Sequence, residues 1–184
     1  MLARMQRSTS VTLGIVCFVA FALIGNYLVN PFHAPSQDWV ARIVGFRIFR
    51  CTANSMEPAV KKGSYIVVNA AALRARDPRA GEIVAFQYPP DPKIEYLKRV
   101  VAIGGSVVEL RAGALYVDGK LVDEPYVDAE SRLVDVDGEF PAYKVPPGTF
   151  FVLGDNRGNS SDSRHWGVVP RELIVGTYVS LSGG

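Results

Sequence analysis

The sequence predicts a mostly β protein, in which an antiparallel β-sheet domain with a smaller β lobe follows one N-terminal transmembrane helix. Three observations support this fold class. Residues 11–29 form an apolar run without a charged residue. From Phe46 onward, runs rich in β-branched and aromatic residues alternate with Gly and Pro. Asp118-Gly119 stands between two such runs, which is typical of a tight hairpin turn joining antiparallel strands.

The apolar run is long enough to cross a bilayer, because a spanning helix needs about 20 residues at ~1.5 Å each. Arg4 and Arg7 precede the run. The positive-inside rule therefore predicts a cytoplasmic tail at 1–10, a single membrane span at 11–29, and an extracytoplasmic remainder. The predicted location is the cell (inner) membrane, with the lipid bilayer as a partner.

The alternatives for this segment are a cleaved signal peptide and a buried helix. A signal peptide has a shorter apolar core of about 7–15 residues. Its small-residue cleavage site would have to be Ala34, which Pro31 and Pro35 flank. A retained anchor is favoured, followed by a membrane-proximal linker at 30–45.

Residues 46–184 are predicted as the β domain. The strand-like runs are "FRIFRCTANS", "SYIVVN", "GEIVAFQY", "KIEYLKRVVAIGG", "GTFFVLGDN" and "LIVGTYVSL", and the hairpin is "GALYVDGKLVDEPYV". Residues 106–147, which carry the hairpin and a polar stretch, are predicted as the appended β lobe. A helical turn is expected only at 69–77, before Pro78.

Composition excludes several function classes. The net charge is +2 and the basic residues are scattered, so no nucleic-acid partner is predicted. The cysteines, Cys17 and Cys51, provide neither a disulfide framework nor a metal-ligand pattern. Motifs for metal or nucleotide chemistry are lacking, so no metal and no cofactor are predicted.

Ser55 is the first candidate for chemistry. Alternation along "FRIFRCTANS" predicts Cys51, Ala53 and Ser55 on one face of a strand. A serine at a strand end, with small residues on its own face, suits a nucleophile beside a groove with shallow pockets. The alternative is an ordinary turn serine, because Ser, Glu and Pro all favour turns.

A serine hydroxyl is a weak nucleophile until a base takes its proton. His33 lies close to the predicted membrane segment and is a poor candidate for the base. His165 lies in a polar loop, and a triad with it would still need an acid. The other option is a neutral lysine. Lys98 is the one lysine inside an apolar strand run. A lysine there either extends outward to solvent or is a buried amine whose pKa is lowered toward neutrality.

The stretch "GDNRGNSSDSRHWG" directly follows an apolar strand. Its density of Gly, Asp, Asn, Arg and Ser indicates a loop. We expect Asp155 to pair with Arg157, and Asp162 with Arg164, which would hold the loop rigid. An ordinary polar turn is the alternative.

Together, these stretches resemble the type I signal peptidases, membrane-anchored serine proteases with a serine–lysine dyad. "NSMEP" resembles the serine box, "YLKRVVAIGG" the lysine box and "GDNRGNSSDSRHWGVVP" the last box. The resemblance covers roughly residues 46–179. It implies that Ser55 is the nucleophile, that Lys98 is the general base, and that Ser160 hydrogen-bonds and orients the Lys98 amine. The residues implied to support the site are Met56, Asp155, Arg157, Asp162 and Arg164.

The resemblance also implies a substrate. Precursor proteins carrying signal peptides would bind as an added β-strand along residues 50–54 and 95–97 and be cut after Ala-x-Ala-like sites. The implied substrate-binding residues are Cys51, Ala53, Asn54, Tyr96 and Leu97. The Ser55 backbone N–H would donate to the oxyanion, and the enzyme would need no cofactor.

Some positions depart from the family pattern. Ala53 stands where part of the family has a serine that joins the oxyanion hole, and Gly158 stands where many members have an aspartate. Gly104 replaces a common proline. The departures at residues 51–54 keep open a specialised relative, such as a conjugation or pilin-maturation peptidase with one dedicated substrate. An alternative of a different class is an inactive peptide-binding β-domain, against which the intact set of Ser55, Lys98 and Ser160 argues.

Overall fold

The computed structural model describes residues 2–29, 39–133 and 138–179. It begins with helices α1 (Leu2–Val29) and α2 (Trp39–Val44). Asn26 Nδ2 donates to the Ile43 carbonyl at 2.8 Å, which ties the end of α1 to α2. Measured over these ranges, no helix combines the length and the apolarity that crossing a membrane requires. Of the predicted linker, residues 30–38 lie outside the described residues.

The described part of the chain contains eleven strands. They are β1 (Phe46–Arg50), β2 (Tyr65–Asn69), β3 (Ile83–Tyr88), β4 (Asp91–Ile103), β5 (Val107–Arg111), β6 (Ala114–Val117), β7 (Lys120–Leu121), β8 (Phe140–Lys144), β9 (Thr149–Leu153), β10 (Val169–Pro170) and β11 (Ile174–Val179). The larger sheet has the order β1-β2-β11-β3-β4-β9-β10, and the smaller sheet has the order β7-β6-β5-β8. Every pairing is antiparallel, as the sequence predicts.

The smaller sheet lies within the residues predicted as an appended lobe. Its β6–β7 hairpin turns at Asp118 and Gly119, whose φ angles are 52° and 75°. Two consecutive positive φ values match the twist of the flanking strands, and Asp-Gly tolerates them at low cost. The predicted hairpin is therefore present, and the turn residues explain its position.

Strand β4 holds the two sheets together. Leu97 belongs to the apolar cluster around β1 and β2, Val100 to the cluster around β3 and β9, and Val101 to the cluster that the small sheet shares. Because the middle of β4 is covered on both faces, its charged residues Lys98 and Arg99 are enclosed too, with 4% and 9% of their surface exposed. These two adjacent basic residues, both buried in β4, belong to the site described below.

The expectation of a single helical turn in the β domain was wrong. Residues 71–73 form the predicted turn as a 3₁₀ helix. Two α-helices, α3 (Ala129–Leu133) and α4 (Ser163–Trp166), and two more 3₁₀ turns accompany it. Helices this short carry no apolar periodicity. For α4, the signal is local, because the Asp162 side chain caps its first turn.

Candidate active site

Ser55 lies in a turn beyond the end of β1. Strand pairing stops at Arg50, which faces Tyr65. The Cys51 N–H still donates to the Ser64 carbonyl at 2.9 Å, and the chain then leaves the sheet. The predicted common strand face of Cys51, Ala53 and Ser55 was therefore wrong: Cys51 and Ser55 are buried, whereas Ala53 is exposed. Strand alternation fails here because residues beyond Cys51 have no partner strand.

Lys98 comes to Ser55 from the middle of the larger sheet. It faces Val84 on β3, so the backbone on either side of it is held in the ladder. Its Nζ donates to the Ser55 Oγ at 2.6 Å. Ser55 has 8% of its surface exposed, so both members of this pair are enclosed. The lysine does not extend to solvent.

Burial lowers the pKa of Lys98 from 10.5 to about 8. The nearby Asp162, Cys51 and Asp155 act in the opposite direction and favour the charged amine, and Arg164 reinforces the lowering. The neutral amine is therefore accessible close to neutral pH. A neutral amine next to a serine hydroxyl is able to accept the hydroxyl proton.

Ser160 lies beside this pair, but it does not make the predicted bond. Its Oγ is buried and makes no hydrogen bond of good geometry with the described groups. The Lys98 amine donates to Ser55 instead. The Ser160 hydroxyl lies near the Asp162 carboxylate. The expected Ser160–Lys98 hydrogen bond is thus not formed in this structure.

The predicted ion pairs were half right. Asp162 and Arg164 do pair, with Oδ1 to Nε at 2.8 Å, and both side chains are almost wholly buried. Asp162 Oδ2 also accepts from the Gly154 N–H at 3.1 Å. Burial by itself would raise the pKa of Asp162, but the Arg164 guanidinium and the Gly154 N–H outweigh it and keep the pKa below its usual range.

The predicted pair of Asp155 with Arg157 was wrong. Asp155 accepts two hydrogen bonds from Arg99, at 2.8 and 2.6 Å, and Arg157 pairs with Glu124. The reason is tertiary: β4 runs beside β9, with Arg99 facing Leu153, so Arg99 lies next to the residues that follow β9.

Several residues around the site were not predicted from the sequence. Arg99 follows Lys98 in an apolar strand, and a second charge there signals a buried partner of opposite sign. Glu124, Tyr126 and Asn156 have no comparable signal, because their roles depend on contacts between distant segments.

Asn156 fixes the backbone that carries Ser55. Its N–H donates to the Ser55 carbonyl at 3.1 Å, and its Nδ2 lies 3.4 Å from the Asn54 carbonyl. Gly154 permits this approach, because a Cβ there would lie 2.6 Å from the same Ser55 carbonyl oxygen. Residues 154–156, in the polar stretch after β9, therefore contact the turn that carries Ser55 through backbone and side-chain atoms.

A cleft of about 440 Å³ lies beside the Ser55–Lys98 pair. All the side chains predicted to bind substrate line it, namely Cys51, Ala53, Asn54, Tyr96 and Leu97. Met56 also lines it and has 1% of its surface exposed, so it forms part of the cleft floor. Within the described residues, no group of His, Cys, Asp and Glu is arranged to hold a metal ion.

A buried lysine amine bonded to a buried serine hydroxyl, beside a cleft in an antiparallel β protein, is the arrangement that a serine hydrolase with a lysine base requires. Comparison with known families agrees with this class. The family model described as "Signal peptidase, peptidase S26" matches residues 4–181. The chain belongs to this family.

Curated relatives carry signal peptidase names. "Probable signal peptidase I-2" of Synechocystis sp. is 36% identical over 143 residues, covering 72% of this chain and 63% of the relative. "Probable signal peptidase I-1" of the same organism is 30% identical over 174 residues, covering 91% and 78%. "Signal peptidase I T" of Bacillus subtilis is 36% identical over 138 residues, covering 72% and 71%. The chain thus spans less than two thirds of the I-2 protein's length.

Among solved structures, a signal peptidase I from Enterococcus faecalis V583 aligns with a TM-score of 0.48 and 31% identity. The alignment covers 55% of this chain and 97% of that chain.

Proposed function

We propose that this protein is a serine endopeptidase that removes N-terminal signal peptides from precursor proteins. The observation that carries the proposal is the 2.6 Å hydrogen bond between the buried Lys98 amine and the Ser55 hydroxyl. Membership of the family supports the choice of substrate class. A protein that only bound peptides would not need to bury a lysine against a serine at the cost of desolvating its charge.

The proposed reaction begins with neutral Lys98. Its amine takes the proton of Ser55 as the hydroxyl oxygen attacks the carbonyl carbon of the scissile bond. The oxyanion of the tetrahedral intermediate accepts from the Ser55 backbone N–H. Ala53 has no hydroxyl to add a second donor. The protonated Lys98 then gives its proton to the leaving amine, and the amine departs as the N-terminus of the mature protein.

An acyl-enzyme on Ser55 remains. In the proposed second half, Lys98, neutral again, takes a proton from water as the water attacks the ester. Collapse of this intermediate releases the signal peptide with a free carboxylate and returns the proton to Ser55. The only groups required are a nucleophile, a base and backbone donors.

The cleft supports binding of an extended peptide. Its walls come from residues 50–54 on one side and from the exposed outer part of β4 on the other. A strand between them would place its side chains alternately toward the cleft floor at Cys51 and Met56 and toward solvent. Small residues at alternate positions, as in Ala-x-Ala, fit a floor that is already filled by buried side chains.

The first experiment is cleavage of a precursor with an Ala-x-Ala site by the full-length protein in detergent, with mass spectrometry of both products. We expect a single cut after the second alanine, abolished by Ser55→Ala. Ser106→Ala, a replacement outside the cleft, is the matched control and should cut normally. Failure of the wild-type protein on several such precursors would overturn general signal peptidase activity and favour a dedicated substrate.

The rate should depend on pH through Lys98. Its pKa of about 8 means that the base is charged and inactive in acid, so kcat/KM should rise as pH increases through about 8 and level off above it. Steady-state assays from pH 5 to 10 check this. A rate that stays flat between pH 5 and 9 contradicts the assignment of a lysine base.

We also propose that residues 11–29 anchor the protein in the membrane, with the catalytic domain outside the cytoplasm. The run contains no charged residue, and α1 exposes large apolar side chains such as Phe18, Phe21 and Leu28. We expect the full chain to stay in the membrane fraction during alkaline carbonate extraction. Protease added to spheroplasts should degrade the β domain, and protection of that domain would refute the orientation.

A further inference from the structure

The residues between β7 and α3 reach from the small sheet to the candidate active site. Val122 N–H donates to the Leu115 carbonyl at 2.9 Å, so this segment starts on the small sheet. Glu124 and Tyr126 then extend toward the residues after β9. Glu124 has 2% of its surface exposed. Nothing in the reaction proposed above uses either side chain.

Glu124 holds one part of the loop after β9. It pairs with Arg157, and both side chains are almost completely buried. The Arg157 Nε in turn donates to the Gly154 carbonyl at 3.1 Å. Because the charge of Arg157 is balanced by Glu124, in the segment that follows β7, the position of Gly154 depends on a residue outside the larger sheet.

Tyr126 contacts Arg99, the residue that binds Asp155 in the loop after β9. The Arg99 guanidinium lies 3.8 Å from the centre of the Tyr126 ring, and Arg99 is the residue that binds Asp155 through two hydrogen bonds. The Tyr126 hydroxyl donates to Glu124 Oε1 at 3.0 Å, which joins the two contacts. Burial raises the pKa of Tyr126, so the hydroxyl keeps the proton that it donates.

Gly154, Asp155 and Asn156 are consecutive, and Asn156 holds the Ser55 carbonyl. Arg99 also follows Lys98 directly in β4. Tyr126 therefore contacts Arg99, the neighbour of Lys98 in the chain. Glu124 contacts Arg157, the neighbour of Asn156, which in turn holds Ser55. A displacement of about 1 Å at such groups is enough to lower a rate by ~10²-fold.

We propose that Glu124 and Tyr126 are positioning residues, through which the small sheet holds residues 154–156 in place for Ser55 and Lys98. The catalytic part of this inference rests on the proposed function. The structural part does not, because it concerns only how firmly the loop is held.

Tyr126→Leu and Tyr116→Leu form a matched pair for the test. Tyr116 belongs to the same lobe and also lies under an arginine, with Arg111 4.6 Å from its ring centre, but that arginine pairs with the surface residue Glu109. The measurements are hydrogen exchange at the Asn156 and Asn159 amides, and kcat and KM on the precursor substrate.

For Tyr126→Leu we expect amide exchange in the loop to rise about tenfold or more, and kcat to fall about tenfold or more with KM changed by less than about twofold. Tyr126→Phe keeps the ring on Arg99 and should lie between this variant and wild type. Tyr116→Leu should change neither measurement. If Tyr126→Leu does not fold, Tyr126→Phe and Glu124→Gln carry the same test.

The outcomes separate the two proposals. Unchanged exchange in the folded Tyr126 and Glu124 variants overturns the positioning role, whatever the activity. Faster exchange with kcat within about twofold of wild type also overturns it, since a loosened loop would then not matter to the reaction. Faster exchange together with a wild-type protein that cuts no precursor leaves the loop contact intact and refutes the proposed function.

Discussion

Replacing Lys98 with alanine is expected to lower kcat by about 10³-fold or more, because the Ser55 hydroxyl loses the group that accepts its proton. The Lys98 amine lies 2.6 Å from the Ser55 hydroxyl oxygen, so this substitution removes the group in direct contact with the nucleophile. Single-turnover acylation of the purified protein by a precursor peptide measures the effect directly. Binding of the peptide should be nearly unchanged, so the loss should appear in kcat.

Two further variants sharpen this test. Lys98→Arg should be as inactive as Lys98→Ala, since a guanidinium stays charged at all accessible pH values and accepts no proton. Lys93→Ala, at an exposed position of the same strand, is the matched control and should retain wild-type kcat. A folded Lys98→Ala variant that acylates at the wild-type rate would disprove the role of Lys98 as the base.

The same lysine should reduce the free energy of unfolding at pH values below 10.5, and by its full amount below about pH 8. Its folded pKa of about 8 lies below the ordinary value of 10.5, so between these values the unfolded chain binds more protons and wild-type stability rises with pH. The difference corresponds to roughly 3 kcal/mol at neutral pH, where the buried amine must carry its charge. Lys98→Met should therefore be inactive and yet at least as stable as wild type at pH 7 in urea unfolding.

Asp162→Ala is the substitution with the largest expected effect on stability. Asp162 pairs with Arg164 through both oxygens, accepts from Gly154 N–H and caps α4. Its removal leaves a buried guanidinium without that carboxylate. The expected loss is about 3–5 kcal/mol in the free energy of unfolding. Since the pKa of Asp162 is lowered by folding, the stability that it contributes is present at neutral pH and is lost as the carboxylate protonates in acid.

Urea denaturation at pH 7 measures this loss. Asp162→Asn should lose less, because the amide oxygen still accepts one of the backbone hydrogen bonds. Glu109→Ala breaks the exposed Glu109–Arg111 pair and should leave the urea midpoint unchanged. A midpoint for Asp162→Ala equal to that of Glu109→Ala would show that the buried pair contributes nothing to stability.

Local sequence signals predicted much of the fold and part of the candidate site. The Asp118-Gly119 turn followed from backbone preference alone, and the strands followed from their β-branched and aromatic runs. Lys98 was a candidate because it is the one lysine inside an apolar strand run, although the strand alone left open whether its amine was buried or pointed to solvent. The Asp162–Arg164 pair was predictable too, since both residues lie in one turn and its geometry brings them together.

The predicted Asp155–Arg157 pair failed because charge pairing depends on distance in space and not along the chain. Asp155 is two residues from Arg157, yet it binds Arg99 because antiparallel pairing of β4 with β9 places Arg99 beside it. Arg157 binds Glu124 for the same kind of reason. The face predicted for Cys51, Ala53 and Ser55 failed because a strand alternates only while it has a partner.

By itself, the sequence determined the antiparallel β class, the hairpin of the small sheet, and Ser55 and Lys98 as candidate nucleophile and base. Each of these depends on interactions within a few residues, or on the apolar character of one strand. Only the tertiary structure decided that Lys98 bonds Ser55, that Arg99 binds Asp155, and that Glu124 pairs with Arg157. Those contacts join segments far apart in the chain, and folding alone brings their charges within hydrogen-bonding distance.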